Sequence, residues 1–122
     1  MALVLRDIHS LNRGTAHIEG SFAVDGSGDP TTIKGTGFSV AHTTTGVYTV
    51  TLSDKYQALI AAHASLMLNS ADDKYVQLGA WSTANSTLVI RVWDDSAGAL
   101  ADIASHANTR IQFDICLQYA KY

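Results

Sequence analysis

The sequence predicts an all-β domain: a jelly-roll-like antiparallel β-sandwich or barrel of seven to eight strands, with one or two short helical turns. Three observations carry that expectation. Within GTGFSVAHTTTGVYTVTL, Gly35 to Leu52, the residues Phe38, Val40, Tyr48, Val50 and Leu52 share one side of a two-residue alternation. Ser39, Ala41, Thr49 and Thr51 take the other, which describes a half-buried hairpin. The same pattern returns at Tyr75–Trp93 and at Arg110–Tyr119. Finally, the chain has 122 residues, 47% hydrophobic and 16% charged, enough for one core of ordinary size without staples.

Taken in order, residues 1–13 read as an N-terminal arm and 14–122 as a single β-sandwich domain. The arm's Leu3, Val4, Leu5, Ile8 and Leu11 fit neither a helical nor a strand period. Such a segment is costly when exposed and natural when a neighbour covers it, so Leu3, Leu5 and Ile8 are interface candidates. Thr15 to Val24 is the first expected strand. Asp25-Gly-Ser-Gly-Asp-Pro30 holds the only proline and breaks the chain into a loop. After the hairpin of Gly35–Leu52, Ser53 can cap a helical turn running toward Leu59. His63 to Asn69 is a further strand and Ser70–Asp73 a turn. Lys74–Thr83 and Thr87–Trp93 form a second hairpin around Ala84-Asn85-Ser86, with Val76, Leu78 and Ala80 facing Leu88, Ile90 and Val92. Asp94–Gly98 turns again, Ala99–Ala107 is expected to hold a short helix, and Arg110–Tyr119 closes the set.

Composition narrows the function. A net charge of −3 gives no basic footprint for a phosphate backbone, so direct nucleic-acid binding is not expected. The N-terminus MALVLRDIHSL lacks the long apolar core of a signal peptide. No run of about 18 apolar residues offers a membrane span. The expectation is a soluble protein made in the cytoplasm. With one cysteine, Cys116, no intrachain disulfide forms, and no local signature activates the thiol.

Catalytic and metal-binding patterns are weak. The five histidines, at 9, 17, 42, 63 and 106, stand singly without zinc-ligand spacing. Asp72, Asp73, Asp94, Asp95, Asp25 and Asp29 offer oxygen ligands of the kind calcium takes, but turns favour aspartate for its backbone bonds. Glu19 is the single glutamate, a poor start for a carboxylate pair of the glycosidase type. No Gly-x-Ser-x-Gly elbow occurs. We therefore expect no enzyme, no cofactor and no resident metal. Trp93 should face away from Leu88, Ile90 and Val92; with Trp81, Gln112, Gln118 and Tyr119 it completes the interface candidates.

Three stretches carry a resemblance: GVYTVTL at Gly46–Leu52, RVWD at Arg91–Asp94, and ADIASHANTRIQF at Ala101–Phe113. In that order, and within the longer stretches Gly35–Leu66, Asp72–Asp94 and Ala101–Leu117, they resemble small virion proteins of tailed bacteriophages. The resemblance implies a capsid decoration, or cement, protein with no catalytic residues. It implies attachment to the major capsid protein across capsomer junctions, usually as a homotrimer at local threefold points. The location implied is the capsid surface of the virion, after synthesis in the host cytoplasm. Some members look more like tail-fibre or receptor-binding modules, which would set Trp81, Trp93 and nearby tyrosines against host glycans.

Overall fold

A computed structural model describes residues 14–118, and every regular element in it is a strand. These are β1 (Thr15–Val24), β2 (Pro30–Lys34), β3 (Phe38–Thr44), β4 (Val47–Leu52), β5 (Ala58–Met67), β6 (Lys74–Ser82), β7 (Thr87–Asp94), β8 (Ala99–Leu100) and β9 (Arg110–Gln118). They make two antiparallel sheets. The four-stranded sheet runs β2-β1-β9-β5; the five-stranded sheet runs β3-β4-β7-β6, with β8 beside β7. The arm, with its Leu3, Leu5 and Ile8, and Tyr119 lie outside the described residues.

Alternation places the core. Phe22 and Val24 of β1 and Ile111, Phe113, Ile115 and Leu117 of β9 face Tyr48, Val50 and Leu52 of β4 and Leu88, Ile90 and Val92 of β7. The expected hairpin forms with the expected faces, and its register sets Val40 opposite Val50 and Ala41 opposite Thr49. Gly20 sits on the inward side of β1, under the edge-to-face pair Phe38 and Phe113, whose centroids are 4.9 Å apart. A side chain at residue 20 would occupy the space of both rings.

Neither expected helical turn forms. Between Ser53 and Gln57 the backbone hydrogen-bonds to the sheets instead: Ser53 N donates to Gly37 O at 2.9 Å and Gln57 N to Gln118 O at 2.8 Å. Tyr56 is turned inward, 8% exposed, and β5 begins at Ala58, five residues earlier than the alternation suggested. In the second segment, Ala99 and Leu100 pair with β7 and Ala101 N donates to Val92 O. Ile103, 3% exposed, then drops into the core. In both places tertiary partners claim the groups a single helical turn would have paired, and a turn so short has little propensity to resist them.

Two further departures matter. β2 was not expected; its proline stands at the first position of an edge strand, where no ladder bond is lost. In β6 the register shifts between Leu78 and Trp81, so Trp81, not Ala80, lies opposite Leu88. That bulge turns Trp81 inward against the core.

Candidate interaction surface

Outside the five-stranded sheet, the residues complementary to the core form a broad and nearly uncharged face. Ser39, Ala41 and Thr43 come from β3, Val47, Thr49 and Thr51 from β4, Thr87, Val89, Arg91 and Trp93 from β7, and Tyr75 and Gln77 from β6. Arg91 is the one charge among these described residues. Its guanidinium lies over Gly79, where a Cβ would come within 2.6 Å of Nη1. Trp93 and Tyr75 are cross-strand partners, and the Trp93 indole N–H donates to Gln77 Oε1 at 3.0 Å. Tyr75 is 48% exposed. The expected outward placement of Trp93 is thus what the register gives, while Trp81 faces the core and donates its N–H to Thr83 Oγ1 at 2.8 Å.

The opposite face is more polar than β9 alone suggested. Gln112, Asp114, Cys116 and Gln118 do point outward, but pairing brings Glu19 beside Asp114 on one side and His63 on the other. His17 lies next to Cys116, with Nε2 3.8 Å from Sγ and Nδ1 4.0 Å from Asp114 Oδ1. A thiol, an imidazole and a carboxylate therefore stand in line, 99 and 97 residues apart along the chain, where no sequence pattern could announce them. Both gaps exceed the 2.6–3.2 Å or so that proton transfer between nucleophile and base uses. Two adjacent carboxylates make this face a poor match for a copy of itself.

A third cluster ties three loops together at one end of the sandwich. Asp102 Oδ1 accepts from Gly46 N at 2.6 Å, from the Tyr48 hydroxyl at 3.4 Å and pairs with His42 Nε2 at 3.0 Å. His42 Nδ1 lies 3.5 Å from Asp29 Oδ1, in the loop that Asp25 caps through the backbone N–H groups of Ser27 and Asp29. Gly28, at φ +88°, passes so close to Asp102 and His42 that only glycine fits. Burial pushes the Tyr48 phenol well above its ordinary range, and the Asp102 carboxylate adds to the effect. The His42 side chain is 14% exposed, so this histidine is a structural member rather than a surface one.

The aspartates at 72, 73 and 94 do meet, and their oxygens are taken. Ser96 N donates to Asp73 Oδ2 and Ser96 Oγ to Asp94 Oδ1, and these bonds hold both carboxyls below the usual range. Lys74 Nζ donates to Asp72 Oδ2 at 2.8 Å. Among the described residues, no three His, Cys, Asp or Glu side chains converge as a metal centre requires. No helix there is long and apolar enough to cross a membrane.

No family model, curated protein or solved structure matches the chain. The three motifs singled out in the sequence each have a place in the structure. In the fold these are the central strand β4, the end of β7 carrying Trp93, and the segment from Ala101 into β9.

Proposed function

We propose that this protein is a structural component of a tailed-phage virion, a decoration protein that binds the major capsid protein across capsomer junctions as a homotrimer. The observation that carries this reading is the outward face of the five-stranded sheet, with Thr, Ser, Val, Tyr75 and Trp93 around a single charge, Arg91. Such a face loses little on leaving water, because few charges need new partners, and its two aromatic side chains are of the kind that anchors interfaces. The burial exists only in the assembled particle and so stabilises that state by mass action. The experiment is to locate and count the protein in purified particles. Hundreds of copies on the head support decoration; a handful at the tail overturn it.

One feature favours the tail-fibre reading as the second choice. Tyr75 and Trp93 lie side by side on an open sheet face, which is also how a sugar ring is stacked. Binding to host glycans by the isolated protein, lost on Trp93→Ala, would support that alternative.

A further inference from the structure

The outermost strand of a sheet leaves half its backbone donors and acceptors without a ladder, and natural sheets protect such edges with proline, charge, a bulge or short length. Two sheets give four edges. β2 is five residues long, begins at Pro30 and ends at Lys34. β3 is seven residues long with a register shift at its end, between His42 and Thr44, and β6 begins at Lys74 and carries the bulge before Trp81. β5 has none of this protection over most of its length. It is ten residues long, ALIAAHASLM, without Asp, Glu, Lys, Arg or Pro. Its one irregularity falls between Leu59 and Ala61, and from Ala61 to Met67 the register is unbroken. Among the described residues its ladder is with β9 alone. Ile60 and Met67 are 54% and 42% exposed, two of the most exposed large apolar side chains.

Residues 1–13, MALVLRDIHSLNR, have the length and chemistry to cover that edge. Fully extended they reach about 43 Å, whereas Ala61–Met67 needs roughly 23 Å. Leu3, Val4, Leu5 and Ile8 supply apolar and β-branched side chains to meet Ile60 and Met67. The arm joins the sheet at Thr15, which pairs with Gln118; Gln118 also pairs with Ala58, so the arm departs from the end where β5 begins. To reach the free side of β5 in its own copy it would have to cross the end of β9 and the Ser53–Gln57 connection, which is fastened there by Gln57 N to Gln118 O. Connections at one end of a sheet avoid such crossings. The edge of a second copy presents no such obstacle.

We propose that residues 1–13 of one copy add as a strand to the free edge of β5 in a neighbouring copy. This goes beyond the decoration reading, since the contact is between copies of the chain and needs no capsid. It is a head-to-tail contact, donor segment to acceptor edge, of the type that closes into a ring when the rotation between copies permits.

Amide hydrogen exchange on the full chain at two protein concentrations tests it. Within Ala61–Met67, the amides on the free side of the strand, those not bonded to β9, should exchange about tenfold more slowly, or better, at the higher concentration, while β1 and β9 are unchanged. The full-length variant Leu3→Lys/Leu5→Lys/Ile8→Lys should lose that concentration dependence. If that variant loses protection in β1 and β9 as well, the edge variant Ile60→Lys/Met67→Lys decides in its place. Rapid exchange of those free-side amides at every concentration overturns the proposal, as does protection of them that ignores concentration, which would put the arm on its own copy. So does full protection in the variant that keeps β1 and β9 intact. A protein that exchanges arms and ignores capsids would keep this proposal and lose the decoration reading.

Discussion

Ser86 combines backbone strain with an orphaned polar group. It sits in the β6–β7 turn at φ +56° with its hydroxyl buried and without a hydrogen-bond partner, while its carbonyl accepts from Leu52 N at 2.8 Å. Ser86→Gly removes a left-handed penalty of about 1–2 kcal/mol and an orphaned hydroxyl. Against this stands the extra freedom of glycine in the unfolded chain, about 0.4–1 kcal/mol. The expected outcome is a gain of about 1 kcal/mol in urea unfolding; an unchanged or lower midpoint contradicts it. Tyr48 governs the alkaline side. Its phenol is raised in the folded state from an ordinary 10.0, so the unfolded chain releases that proton first and stability falls as pH rises past that value. The urea midpoint should drop between about pH 9 and 11, and Tyr48→Phe should flatten the drop. An equally steep drop in the variant would assign the loss to other groups.

At the scale of elements, the two faces of β4 make the sharpest test. Val50 is fully buried and Thr49 points outward across from Val89. Val50→Asp should cost about 4 kcal/mol or more and Thr49→Asp about 1 kcal/mol or less, read from thermal unfolding. Equal losses would mean that both faces are covered in the isolated protein. Strands such as β4, β7 and β9 were legible because their period is strict and the apolar face has only one place to go. The helical turns do not form because a cap and a few helix formers describe only local preference, and the partners that overrule it, Gln118 and Val92, belong to other strands of the sheets. Trp81 was misplaced for a related reason: one extra residue at Gly79-Ala80 reverses which side follows, and nothing in the hydrophobic pattern marks it. The contacts of His42 with Asp102 and of His17 with Cys116 were illegible for want of any fixed spacing.

For the whole molecule, the outward aromatic pair separates stability from assembly. Tyr75→Ala/Trp93→Ala removes no core residue, so the unfolding midpoint should fall by less than about 1 kcal/mol, while co-sedimentation with capsids should weaken at least about tenfold. Undiminished capsid binding would remove this face from the interface. The position of β9 has a separate consequence, for synthesis. Among the described strands it is the last to be made, yet it lies between β1 and β5 and pairs with both. The five-stranded sheet can assemble while translation is under way, since β3-β4 and β6-β7 are local hairpins. The four-stranded sheet cannot. At about 5–20 residues per second, β1 waits roughly 5–20 s for its neighbour to be polymerised, and until then Phe22 and Val24 have half a core to bury against. A chain truncated before Arg110 would leave the ribosome with that half-core open, a natural client for the host's chaperones.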